Sequence, residues 1–298
     1  MTSKKWCIMF LVSLITVLGI IILLNVLVDP FGVFGDRIFN WYSHSFTNNP
    51  RVAKISYLDK HYEEYDSYII GGSSTSSFAT EDLNKYFNAK FYNMIMYVYD
   101  MLDVEQTCKY ILSNYNVKNI IVNVYLESTT VYDEEGDKLT KNLHAKVNGE
   151  NKVSFYSRYL TVSPSYAFAK IRDAQKDTYL TQTFDVFDVE TGAYDKKVRD
   201  VEPIGDIESY LEKNPIFINY PHSDIVMTKI NETVSSIKRI KEMCDESNVN
   251  LVIVTAPSYY EYLKCFSKED ILDFYTKMAE ITPFWDFASS SISKEPRY

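Results

Sequence analysis

Cysteine is scarce in this chain and poorly spaced for chemistry. Cys7 lies in an apolar N-terminal run, which leaves Cys108, Cys244 and Cys265 outside it. An odd number with no metal-ligand spacing argues against a disulfide framework. Cys108 and Cys244 fall on apolar helix faces, where a thiol packs as a small hydrophobe. Positive charge is also short: 31 Lys and Arg face 40 Asp and Glu, for a formal net charge of -9 and a pI near 5.1. Phosphate binding needs a basic surface, so nucleic acid is not an expected partner. The same balance disfavours adsorption of the outer part to anionic lipid. Histidine is limited to His44, His61, His144 and His222. Glycine is absent between Gly72 and Gly136, and there is no internal repeat or low-complexity linker. Neither a cofactor nor a metal is expected.

The most informative absence is of charge near the start. From Trp6 to Val28 about 23 residues carry none, long enough to cross a hydrocarbon core of roughly 30 Å as a helix. Lys4 and Lys5 precede this run and no charge follows until Asp29. That asymmetry keeps residues 1–5 in the cytoplasm and sends the C-terminal bulk outward. A cleaved signal peptide fits less well. Its apolar core is about 7–15 residues long and ends at a small-x-small site, which Asn25-Val26-Leu27-Val28-Asp29-Pro30 does not offer. The expectation is a single-pass membrane protein, in contact with lipid through residues 6–28.

What is present beyond the anchor is an alternating pattern. Asp29-Pro30-Phe31-Gly32 stops the helix, and residues 29–60 read as a juxtamembrane connector. Residues 61–298 read as one α/β domain. Strands are expected at Tyr65–Ile70, Lys90–Asn93, Lys118–Leu126, Asn250–Thr255 and Thr282–Phe287. Helices are expected where Cys108, Ile111, Leu112 and Tyr115 recur, where Val226, Ile230, Val234, Ile237 and Cys244 recur, and over 267–280. Apolar strands alternating with amphipathic helices imply a parallel sheet covered on both faces. Residues 131–221 break the pattern and read as an insertion at the C-terminal edge of the sheet, a substrate wall, a lid or a docking surface. The 25 Tyr and 17 Phe could stack on sugars, although AT-rich codon usage is the better explanation of them.

The segment richest in chemistry is Tyr68-Ile69-Ile70-Gly71-Gly72-Ser73-Ser74-Thr75-Ser76-Ser77-Phe78. A strand runs into Gly-Gly-Ser, with a helical stretch beginning near Thr80. Glycine at Gly71 and Gly72 permits a tight turn and close backbone approach. Ser73 is then presented at the strand's carboxyl end beside backbone amides that could stabilise an oxyanion. The plain alternative is a loop or an anion-binding nest of amides. Ser74 and Ser76 are the fallback nucleophiles.

Asp29-Pro30-Phe31-Gly32, then Arg51 and Lys54, the Tyr65–Ser73 block, Tyr92-Asn93, Val252–Pro257 and Phe284-Trp285-Asp286-Phe287 together resemble the membrane-anchored SGNH/GDSL-type proteins of bacterial envelopes. These include proteins of D-alanyl-lipoteichoic-acid transfer and alginate O-acetylation. The resemblance implies a flavodoxin-like sheet with Ser73 as nucleophile. It implies esterase or O-acyltransferase activity on cell-wall or exopolysaccharide polymers, with a membrane acyltransferase as a possible partner.

Several family features are missing. The oxyanion glycine after the second strand is absent, and Tyr125-Leu126-Glu127-Ser128 replaces the Gly-x-Asn-Asp turn. Asn93 and Asn123 are nearby amides outside any matching motif, Asn93 as a turn residue and Asn123 as a strand residue. The family's Asp-x-x-His would begin about where Ser293–Tyr298 stands, so a C-terminally incomplete chain is expected. A serine without a base is a weak nucleophile. His222 is the remaining candidate base, although a residue before a long helix is more often a cap or surface group. Asp66, Glu127 and Asp286 read as structural or solvated. The alternative function is a non-catalytic, membrane-tethered module that binds a glycan or a partner.

Overall fold

A computed structural model describes residues 3–41, 48–96, 100–130, 138–174, 186–195 and 205–289. In chain order its longer elements begin with α1 (Ser3–Val28), α2 (Pro50–His61), β1 (Ser67–Gly71), α3 (Thr80–Phe87), β2 (Phe91–Ile95) and α4 (Met101–Asn114). They continue with β3 (Asn119–Val124), α5 (Lys152–Leu160), α6 (Pro164–Ala174), α7 (Ile230–Glu246), β4 (Asn250–Thr255), α8 (Lys268–Ile281) and β5 (Phe284–Asp286). The chain divides into two compact units, one built from residues 1–60 and 137–181, the other from 61–136 and 182–298.

The first unit gathers segments that the sequence pattern separates. Residues 29–41 and 48–60, expected as a connector, and 138–174, expected as part of an insertion, share one core. Phe31, Val33, Val52, Ala145, Phe155, Tyr159 and Val162 are its buried residues. The Phe31 ring lies 5.3 Å from Tyr159 and 5.0 Å from Tyr166, centroid to centroid. Asp29 ends α1 with φ +48, and its carboxylate accepts the backbone N–H groups of Val33, Phe34 and Asp36. The fully buried Lys170 ammonium donates to the Asp29 carbonyl at 2.9 Å and to Asp36 Oδ1 at 2.6 Å. A buried cation needs such partners, because its desolvation would otherwise cost several kcal/mol.

α1 is long and apolar enough to cross a membrane, with a mean hydropathy of 3.1 over its most apolar window. Its last turns enter the first unit, where Asn25 and Val28 are buried. Asn25 Nδ2 donates to the Leu160 carbonyl at 3.0 Å and to the Val162 carbonyl at 2.8 Å.

The second unit holds the expected α/β fold. Its five strands are all parallel, in the order β2-β1-β3-β4-β5, the flavodoxin-like arrangement. Each residue of β1, β2 and β3 is buried, so both faces are covered. One face packs Ile69, Phe91, Ile121 and Val254 against Leu83 and Phe87 of α3. α4 and α7 pack on each other and bury Val104, Cys108, Ile111, Ile237, Ile240 and Cys244. Burial raises both thiols, Cys244 to about 11, which suits packing rather than reactivity.

One helix face departs from the sequence reading. Val226 precedes α7 and is exposed, whereas Thr233 and Ser236 are buried. Thr233 donates its hydroxyl to the Ser128 carbonyl at 2.7 Å, which makes a polar position tolerable in that interface. The later part of the expected insertion also serves the sheet. A two-residue hairpin, Val186–Phe187 with Tyr194–Asp195, turns through Gly192. Thr191 O accepts the Asn93 N–H at 2.8 Å, and Glu190 O accepts the Tyr65 hydroxyl at 2.6 Å, so the turn covers edge strand β2.

Candidate functional site

The sheet's topology brings the carboxyl ends of β1 and β3 together, and the Gly-Gly-Ser turn lies there. Gly71 is the last residue of β1, and Ser73–Ser77 form a 3-10 helical turn. The need for glycine is one of space. A Cβ on Gly71 would stand 2.6 Å from Thr75 Oγ1 and 2.7 Å from the Asn123 carbonyl oxygen. Gly72 has φ -78 and ψ -161, extended geometry that other residues also adopt. Close approach at Gly71, rather than unusual torsion angles, shapes the turn.

Side chains from two neighbouring strands hold it. Asn123, buried in β3, donates from Nδ2 to Ser74 Oγ at 2.9 Å and to Thr75 Oγ1 at 3.3 Å. Its Oδ1 accepts the Ala256 N–H at 3.1 Å, which ties the loop after β4 to the same point. Asn93, buried in β2, donates to the Thr75 carbonyl at 2.8 Å and accepts the Ile95 N–H at 3.0 Å. The Ser74 amide donates to the Tyr125 hydroxyl at the end of β3. Ser76 donates its hydroxyl to the Ser73 carbonyl at 2.8 Å. Ser73 itself is exposed. Of the three serines considered, it is the most exposed residue, with Ser74 half-buried and Ser76 buried.

Asn93 is therefore a strand residue that fixes the turn through its Nδ2, while its Oδ1 is taken by the Ile95 N–H of its own strand. Asn123 has the same role and a larger share in it. Sequence reading placed Asn123 in its strand and missed its bonds to the turn. An amide in the middle of the otherwise apolar Ile120-Ile121-Val122-Asn123-Val124 run was the available signal, because a buried amide needs partners. Tyr125 was also missed, and no sequence pattern marks it.

The histidines have other neighbours. His222 is exposed, its Nε2 3.5 Å from Glu261 Oε2, with the Tyr220 ring 6.4 Å away. His61 Nδ1 lies 2.8 Å from Glu64 Oε1. His144 is buried in the first unit, where its Nδ1 accepts the Lys146 N–H and caps the short helix Ala145–Asn148. His44 lies outside the described residues. Among the carboxylates, Asp66 pairs with Lys118 at 2.7 Å, and Asp286 accepts the Thr255 hydroxyl at 2.8 Å. Glu127 is half-buried in the 3-10 turn after β3. Burial pushes its carboxyl above the usual range, which hydrogen bonds from its own backbone and from Tyr262 only partly offset. Its Oε2 has no hydrogen-bond partner among the described residues.

Chemically, the turn presents one exposed serine, Ser73, on a backbone held by hydrogen bonds from neighbouring strands. The Tyr125 phenol against Ser74 accepts from its amide. Among the described residues, no three His, Cys, Asp or Glu side chains converge as metal ligands. The chain matches no protein-family model, no curated protein sequence and no solved structure.

Proposed function

We propose that the chain is a membrane-anchored, extracytoplasmic SGNH-like esterase or O-acyltransferase acting on cell-envelope polymers, with Ser73 as nucleophile. The observation that carries the reading is the exposure of Ser73 on a turn fixed from both sides by Asn93, Asn123 and Tyr125. A nucleophile gains from being held in place, since positioning removes an entropic part of the barrier. The anchor supports the setting: its flanking charge asymmetry favours a cytoplasmic N-terminus and an outer catalytic unit. A fluorophosphonate probe on the full chain in detergent tests it. Labelling should occur and vanish in Ser73→Ala; equal labelling of both proteins would refute the assignment.

A second reading, a non-catalytic module for a glycan or an acyltransferase partner, is favoured by one feature. The Ser74 amide and the Nδ2 donors of Asn93 and Asn123 are already engaged at the turn, and both Oδ1 acceptors are taken by the backbone N–H groups of Ile95 and Ala256. Absence of labelling, with retention on purified wall polymer that Ser73→Ala does not alter, would select this reading.

A further inference from the structure

The join between α1 and the first unit fixes where that unit stands against a bilayer. About 20 helical residues, at about 1.5 Å each, cross a hydrocarbon core of roughly 30 Å, so a span that starts at Trp6 ends near Asn25. Ile21, Ile22 and Leu24 are half-buried by the first unit, unlike the exposed residues before them. The covering atoms therefore reach about four residues, or roughly 6 Å, below the boundary of the apolar layer. Interfacial segments embed to a comparable depth, about 5–10 Å.

The covering segment has a composition suited to that depth. Asn25 bonds the Leu160 and Val162 carbonyls, so the α5–α6 turn lies at its level. From Tyr159 to Ala169 the chain carries no charged residue. On either side, Arg158 is paired with Glu150, and Lys170 is buried against Asp36. Thr161, Ser163 and Ser165 are exposed, as is Phe168 at 60%. Val162 meets α1 at residue 25 and Lys170 meets the chain at Asp29, so α6 climbs between those levels with Phe168 on its outer side.

We propose that the uncharged α5–α6 turn and Phe168 sit in the interfacial layer of the bilayer that α1 crosses, so that the first unit is seated in lipid rather than tethered above it. The occupant of this surface is lipid at the glycerol and upper acyl level, met through neutral polar and aromatic groups. The inference rests on α1 spanning a membrane, and the experiment separates the two.

Nitroxide labels are placed singly at Val17, Thr161, Phe168 and Lys152 by cysteine substitution in a Cys7→Ser background, with the full chain in phosphatidylcholine nanodiscs. Relaxation by oxygen, which concentrates in lipid, is compared with relaxation by a water-soluble nickel chelate. Val17 should be lipidic, Lys152 aqueous, and Thr161 and Phe168 should show an oxygen-to-nickel ratio severalfold above that of Lys152. Ratios at Thr161 and Phe168 equal to that of Lys152, with Val17 lipidic, would overturn the seating and leave the span intact. Nickel access at Val17 would overturn the span, and the seating with it.

Discussion

The Tyr125 hydroxyl accepts the backbone amide of Ser74, the residue directly after the exposed Ser73. The bond ties the end of β3 to the turn that follows β1. If the phenol also donates to an oxyanion formed at Ser73, Tyr125→Phe should slow fluorophosphonate labelling by about 100-fold or more, the usual cost of losing one such donor. Stability should fall by only about 1 kcal/mol. Labelling rates from intact mass spectrometry decide it, and an unchanged rate would limit Tyr125 to a structural role.

Gly71→Ala should damage the turn from within. The new methyl would meet Thr75 Oγ1 and the Asn123 backbone at distances that carbon does not tolerate. Overpacking of this kind costs about 1–3 kcal/mol. Gly72→Ala, at an extended position, should cost less, and denaturant midpoints of the two variants give the comparison.

Asn25→Leu keeps α1 apolar while removing both hydrogen bonds to the α5–α6 turn. Two carbonyls lose these donors, at about 1–3 kcal/mol each, partly offset by loss of the buried Asn25 Oδ1, which has no partner among the described residues. The chain should remain in the membrane fraction after an alkaline wash. Protease cleavage between α5 and α6 should rise, and unchanged cleavage would contradict the role given to Asn25.

His144 predicts a pH dependence for the first unit. Burial, helped by the nearby Lys146 charge, lowers its pKa from 6.5 to about 4. A histidine depressed on folding contributes stability that is fully present above pH 6.5 and is lost as the pH falls towards 4. The full effect is about 3 kcal/mol. Asp29 works the other way: burial raises its carboxyl to about 6, so its ionisation opposes folding as the pH rises from about 4 to 6. His144→Asn, which keeps a capping side chain, should abolish only the first contribution. Melting temperatures at pH 7.5, 5.5 and 4.5 test this, with the wild-type advantage expected to shrink as the pH falls.

Local order was legible wherever it rests on local rules. Each of the five strands overlaps its sequence expectation, because parallel strands read as short apolar or aromatic runs. α8 lies within a residue of its predicted bounds, set off by Ser267, whose side chain accepts the Asp270 N–H. The Gly-Gly-Ser turn was visible because it joins a strand end to small residues. Tyr125, by contrast, meets the turn from another strand. Nothing in the sequence gives the register that pairs Gly71 with Asn123.

The sequence by itself determined the apolar helix, the all-parallel α/β class and the position of Ser73 at a strand's carboxyl end, since periodicity and charge are written residue by residue. Only the tertiary structure decided that Asn93 and Asn123 spend their amides on the turn. It also decided that residues 29–41, 48–60 and 138–174 form one core around the end of α1. Both depend on segments far apart in the chain meeting in space: the Asn25–Leu160 bond spans 135 residues. Such pairings follow from how whole elements bury their apolar faces, which no local pattern encodes.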